Sequence, residues 1–318
     1  MNNLYQKDSS DKIWHDFNNK YSSLNNIIKI EELNKYPNYK KFITDNLFFF
    51  LNNEKVKCLK NFTKILYNSG IKDFNLEIYL KLLSISINEV ERSENKSKLI
   101  IGLGTGRCGS TSLSYLLSMQ KDTFSFHEHP PIISWSNDTN IVDFHIKRFN
   151  ILLNYFDYVI DIAHWWLPYV EKIININPES IFVCLKRDKM QTVSSFLKIK
   201  GNGQKGTINH WINHDNKFWR YNVWDKTYPK FVANNIDDAI SQYWENYYLI
   251  SSEIEKKYPK NFKIFYTKDL STKEGQLNIL NFCGYNEPLT NLNIKKNVGT
   301  VKDGAFELNE LFKIFNER

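Results

Sequence analysis

Cysteine is scarce in this chain: four in 318 residues, at positions 58, 108, 184 and 283. None forms a C-x-x-C pair, and no Cys/His group has zinc-ligand spacing, so a disulfide scaffold and a zinc module are both excluded. The four read as reduced thiols of a cytoplasmic protein. No apolar run approaches the length of a membrane span, and the first ten residues, MNNLYQKDSS, lack the apolar core of a secretory leader. These two absences predict a protein with no membrane partner. No repeat of solenoid period is evident. The charge balance is 42 Lys+Arg against 35 Asp+Glu, a net +7. That mild excess is unclustered, which argues against nucleic acid as a partner while suiting a small anionic ligand.

What is present is concentrated in residues 98–120, KLIIGLGTGRCGSTSLSYLLSMQ. An apolar run (Leu99, Ile100, Ile101) meets Gly102, Gly104, Gly106 and Gly109. Three hydroxyls (Ser110, Thr111, Ser112) follow, then Leu113, Leu116 and Leu117 at helical spacing. The pattern predicts strand, tight loop and helix start. Such a loop aims backbone N–H groups and a helix N-terminus at one point and suits a phosphate. It nearly fits the nucleotide-binding spacing G-x-x-x-x-G-K-[ST], but Ser110 stands where that motif has lysine, and the loop's one cation is Arg107. An ordinary glycine-rich strand-to-helix turn is the plainer alternative.

Further along, TFSFHEHPP (123–131) predicts a short strand ending in His127, Glu128 and His129. The His-x-His spacing is compatible with a metal, but no third ligand is identifiable. YVIDIAH (158–164) and IFVCL (181–185) predict buried parallel strands. The latter runs into Lys186-Arg187-Asp188 and a helix carrying Ser194 and Ser195. Asp237 to Lys257 reads as a helix, and NFKIFY (261–266) as the last strand. The expected architecture is α/β, a parallel β-sheet flanked by helices. Residues 1–97 form a helical cap or arm, and 98–318 form the α/β domain. An aromatic-rich insertion at about 201–235 covers the substrate.

The stretch G-x-x-R-x-G-S-T-S-L (Gly104 to Leu113) resembles the 5′-phosphosulfate loop of sulfotransferases. Arg187, just after a strand, and Ser195, eight residues later on a helix, resemble the 3′-phosphate site of the same family. Lys189 replaces the usual proline, and Lys268 replaces the usual acid of the late strand's turn. The resemblance covers about residues 98–300 and implies a P-loop-like sulfotransferase fold. It also implies 3′-phosphoadenosine 5′-phosphosulfate (PAPS) as donor, adenosine 3′,5′-bisphosphate (PAP) as product, and no metal requirement. Thr105, Gly106, Arg107, Cys108, Gly109, Ser110, Thr111 and Ser112 would hold the 5′ end, and Arg187 and Ser195 the 3′-phosphate. Arg107 would stabilise the leaving group. Two general bases stay open: Glu128, where heparan-type members have a glutamate, and His164, where cytosolic aryl and steroid members have a histidine. Glu128 is preferred. His129 and Trp165, beside these bases, are assigned to the acceptor, a small molecule or carbohydrate. The oligomeric state is not addressed by the sequence. Two competing readings remain: a Mg·ATP-using P-loop kinase or NTPase with Asp161 as the Mg²⁺-ligating acid, and a non-enzymatic nucleotide-binding module.

Overall fold

The computed structural model describes residues 97–129, 131–154, 156–198, 209–213 and 224–293. The helical cap or arm expected over residues 1–97 lies outside the described residues except for Ser97, as do residues 201–208 and 214–223 of the 201–235 insertion and residues 294–318.

Among the described residues, five strands form one all-parallel sheet: β1 (Lys98–Leu103), β2 (Thr123–His127), β3 (Tyr158–Ile162), β4 (Ile181–Lys186) and β5 (Phe262–Tyr266), in spatial order β2-β3-β1-β4-β5. Six helices accompany them: α1 (Ser110–Ser118), α2 (Thr139–Leu153), α3 (Val170–Ile176), α4 (Lys189–Leu197), α5 (Ile236–Lys257) and α6 (Lys273–Cys283). Alternation along each strand feeds two cores. Leu99, Ile101 and Leu103 of β1 face one side with Phe182 and Cys184 of β4 and with the apolar faces of α2, α3 and α5. Ile100 faces the other with Val183, Leu185 and the leucines of α1 and α6. Burial on both faces explains why the central strands read as continuous apolar runs.

All five carboxyl ends emerge at one edge. The chain leaves β1 for β2 on one side, then returns across β1 to reach β4 on the other. In such open sheets the ligand crevice lies outside that edge, where the strand order reverses. The glycine loop after β1 and the Arg187 turn after β4 are neighbours there because β1 and β4 pair, Leu103 opposite Cys184.

Helix α2 has no counterpart in the expectations above. Its buried face is Val142, His145, Phe149 and Leu152, with Arg148 beside them. The apolar spacing is helical, but a histidine and an arginine interrupt it.

Candidate active site

The glycine loop has no room for side chains at its start. At Gly102 an added Cβ would lie 2.6 Å from Ile162 Cγ1, and at Gly104 (φ +142) it would strike Cys108 Sγ and lie 2.7 Å from the Leu185 carbonyl. The loop is thus pressed onto β3 and β4 at van der Waals distance, which requires glycine. Helix α5 holds it from below. Gly104 N–H donates to Tyr247 Oη (2.9 Å), which donates onward to the His164 carbonyl (3.1 Å). Tyr243 Oη donates to the Thr105 carbonyl (3.1 Å) and Tyr248 Oη to the Leu185 carbonyl (2.7 Å). Trp244 Nε1 donates to the Arg187 carbonyl (3.0 Å), so the same helix also supports the β4 turn. Spacings of four residues put Tyr243 with Tyr247 and Trp244 with Tyr248 on one helical face. Thr267 Oγ1 ties the loop to the turn after β5 by donating to the Cys108 carbonyl (2.7 Å).

Above this support the two arginines meet. Arg107 adopts φ +54, and its Nε donates to Ser195 Oγ at 3.1 Å. Arg187 Nη1 donates to the Arg107 carbonyl at 2.9 Å, and its Nε to Gln191 Oε1 at 3.2 Å. The residues expected at the two ends of the donor therefore share one patch of the sheet edge. Ser110, Thr111 and Ser112 open helix α1 beside it, partly exposed. Thr105 and Cys108 are fully buried, so only their backbones can reach a ligand. Burial pushes the Cys108 thiol up to about 11, which leaves it protonated and unreactive. Lys189, at the usual proline position, forms an ion pair with Glu245 of α5 at 2.5 Å.

The strand-end residues after β2 diverge. Glu128 has φ +49, while its N–H still bonds the Ile162 carbonyl (2.9 Å) and prolongs the β2–β3 ladder. A positive φ at a non-glycine residue costs of order 1 kcal/mol or more and is a recurrent mark of functional positions. Its carboxylate is close enough to the glycine loop to bear electrostatically on Cys108 and on Tyr228. His127 Nε2 lies 3.3 Å from Ser110 Oγ at the start of α1. His129 goes the other way: it is 4 % exposed and its Nδ1 lies 2.9 Å from Arg148 Nη1. Arg148, itself fully buried, also pairs with the fully buried Asp161 at 3.5 Å and lies over the Phe126 ring at 4.0 Å.

Three expectations change here. His129 and Trp165, assigned to an acceptor, are core residues; Trp165 is 0 % exposed, packed with Trp224 and the His164 ring. Asp161 does not face the crevice at the carboxyl edge of the sheet. It alternates with Ile160 and Ile162 and so points with Val159 toward α2, where Arg148 occupies it. That removes the carboxylate on which the Mg·ATP reading rested. Burial pushes Asp161 up to about 7, against the opposing pull of Arg148. Among the described residues no group of three His, Cys, Asp or Glu side chains is arranged to hold a metal ion.

His164 is 3 % exposed. Thr227 Oγ1 spends its proton on the Trp224 carbonyl (2.7 Å), so His164 Nε2 is the donor in their 2.9 Å contact, and Nδ1 carries the lone pair. Burial holds the imidazole down to about 3, hence neutral. His145, buried and donating to the Pro131 carbonyl (2.8 Å), is also held well below its usual value, by desolvation and then by Arg148. Unfolded imidazoles gain protons as pH falls through about 6.5 while these do not. Each therefore subtracts stability on acidification, by up to ~1.4 kcal/mol per pH unit. For His164 this window runs from about 6.5 to about 3. Asp161 acts in the opposite sense, its share of stability being lost as pH rises from about 4 toward 7. Where the windows overlap, two histidines outweigh one carboxyl and stability falls with pH. His164→Phe should remove one proton's worth of that slope in urea titrations between pH 4 and 6. An unchanged slope would mean that the native ring is already charged.

A family model described as a sulfotransferase domain matches residues 99–288. The chain belongs to the sulfotransferase family. Its general chemistry is therefore sulfuryl transfer, on an α/β parallel sheet flanked by helices. Among solved structures, this sulfotransferase is similar to one from Alicyclobacillus acidocaldarius at 12% identity and TM-score 0.36, covering 70% of this chain and 92% of that one. A comparison with curated proteins finds no match. Among the described residues of the sulfotransferase, no helix is long and apolar enough to cross a membrane.

The α5 aromatics and the Arg148–Asp161–His129 cluster lie outside the expectations drawn from sequence. The former were legible as YWENYY inside a helix: aromatics at four-residue spacing with polar Oη and Nε1 tips, which need partners when buried. The latter was legible only as charge inside apolar surroundings.

Proposed function

We propose that this sulfotransferase uses PAPS and moves its sulfuryl group to an acceptor hydroxyl by in-line displacement. The observation that carries the reading is the meeting of Arg107, Arg187 and Ser195 in one patch beside the start of α1. Arginine forks suit phosphate oxygens, and a donor anionic at both ends would exchange these internal contacts for charge-assisted ones. The backbone N–H groups from Thr105 to Ser112 and the hydroxyls of Ser110, Thr111 and Ser112 hold the 5′ end; Arg187 and Ser195 hold the 3′-phosphate.

In the step itself, the acceptor oxygen forms a new S–O bond while the bond from sulfur to the bridging oxygen breaks. PAP leaves with the electron pair and its charge is met by Arg107; the acceptor's proton passes to Glu128. Glu128 is the better base because His164 is buried with Nε2 committed. A sulfuryl group carries less charge than a terminal phosphoryl group, so a metal-free reaction is expected. The acceptor is a small molecule or a carbohydrate hydroxyl, and the setting is cytoplasmic, in keeping with the free, buried Cys108, Cys184 and Cys283.

The test is thermal stabilisation by PAP without metal, against Mg·ATP, followed by labelled PAPS with a cell extract to find the product. PAP is expected to raise the melting temperature, and Arg187→Ala to weaken PAP binding by about 10–100-fold, the loss of a hydrogen-bonded charge contact of roughly 1.5–3 kcal/mol. Stabilisation by Mg·ATP alone would overturn the proposal.

A further inference from the structure

Tyr228 lies just before the chain re-enters the core, at the edge of the insertion. Its ring stacks with two histidines: His164, with centroids 4.3 Å apart and planes at 16°, and His210, 5.4 Å away at 1°. Trp211 and Tyr243 close the sides at 5.1 and 5.5 Å. His210 is itself held: its Nδ1 is 3.4 Å from Asp225 Oδ1, and Lys230 Nζ bonds both the His210 carbonyl (2.7 Å) and Asp225 Oδ1 (2.7 Å). The two limbs of the insertion are joined where Phe231 N–H donates to the Trp211 carbonyl (2.7 Å). The ring therefore has little freedom, and its hydroxyl has one direction.

That direction is the glycine loop. Tyr228 Oη lies 3.9 Å from the point where a Gly106 side chain would begin. Tyr228 is partly exposed; the apolar packing around its ring and the Glu128 carboxylate push the phenol up from its ordinary value, against the pull of Arg107. The phenol thus keeps its proton throughout the working pH range and is a donor, not a base. Among the described residues no group hydrogen-bonds this Oη, although the tyrosines of α5 all have partners. A phenol held by its ring contacts at the rim of the glycine loop, with its Oη 3.9 Å from the Gly106 Cβ position and unpartnered among the described residues, is arranged for a ligand.

We propose that Tyr228 donates a hydrogen bond to a non-bridging oxygen of the sulfuryl group on the donor. The stacked His164 and His210 act as positioning residues for it. This rests on the PAPS reading above. It gives His164 a different part from that of a base: the neutral ring is the platform under the phenol.

PAP and PAPS differ by the sulfuryl group alone, so their affinities separate this contact from everything else in the site. Calorimetry on the full chain with each ligand, for wild type and Tyr228→Phe, is the test; phenylalanine keeps the stack and removes Oη. The expected result is an unchanged PAP affinity, within about twofold. PAPS affinity should fall about 10-fold or more, as for one lost bond to a charged group. His210→Ala, which leaves Oη in place but frees the ring, should lower PAPS affinity by a smaller factor and again spare PAP. Equal loss for both ligands in Tyr228→Phe would show a structural residue and overturn the proposal, as would no loss for either. If wild type binds neither ligand, the PAPS reading fails and this inference with it. If wild type binds both and only the Tyr228→Phe result is flat, the PAPS reading stands and Tyr228 is removed from it.

Discussion

Glu128→Gln is expected to lower kcat by about 10²–10⁴-fold, the range of a positioned general base, while leaving PAP affinity within about twofold. The substitution is close to isosteric, so the φ +49 backbone and its bond to the Ile162 carbonyl should persist. What is lost is the capacity to take the acceptor's proton as the new S–O bond forms. The carboxylate acts electrostatically on both Tyr228 and Cys108. Its neighbours along the chain are not substitutes: His127 is engaged with Ser110, and His129 with Arg148. The measurement is steady-state turnover with the acceptor found from labelled PAPS, together with PAP calorimetry. A turnover within threefold of wild type would place the base elsewhere. His164→Phe should reduce turnover less than Glu128→Gln, because it keeps a ring beneath Tyr228. The reverse order would make the imidazole the base after all.

Arg148→Met should destabilise the protein by about 3–5 kcal/mol, the cost of leaving a buried carboxylate without its partner. Arg148 and Asp161 are both wholly inaccessible to solvent, and α2 brings the guanidinium to β3 through a layer of phenylalanine rings. Methionine fills the volume but supplies no charge. The signature that separates this from simple loss of packing is its dependence on pH. Burial already raises Asp161 to about 7. Without the guanidinium the carboxyl rises further, so the native form retains a proton that the unfolded chain gives up. Stability of the variant should therefore decline as pH rises from 6 to 8, by up to ~1.4 kcal/mol per unit, more steeply than in wild type. Arg148→Met with Asp161→Asn should recover much of the loss and flatten the profile. Urea titrations at three pH values decide it; a pH-independent loss equal in single and double variants would show that the ion pair contributes nothing. Because Arg148 also holds His129, Glu128's immediate neighbour, the single variant should be slower at a temperature where it is fully folded.

The central strands were legible because their residues are apolar on both faces and bounded by glycine or charge; LIIGL and IFVCL admit few other readings. The glycine loop was legible because glycines pressed against β3 and β4 leave an imprint in sequence, and a lone arginine among them stands out. Helix α2 was not, since His145 and Arg148 sit inside its buried face and break the apolar period. Their partners, Pro131, His129 and Asp161, are distant in sequence or on another strand. Trp165 and His129 were misplaced for a related reason. A residue at a strand's carboxyl end is near the crevice, but which way its side chain turns depends on a neighbour the local sequence does not contain. Tyr228 was one aromatic among several in an irregular segment, and its meaning depends on two histidines far apart in the chain.

The four aromatic side chains that α5 lends to both loops carry a consequence for design. The glycine-loop backbone takes its shape from a helix late in the chain, so transplanting the loop sequences alone into another scaffold would leave them without a mould. Tyr243, Trp244, Tyr247 and Tyr248 would have to be carried over together with both loops.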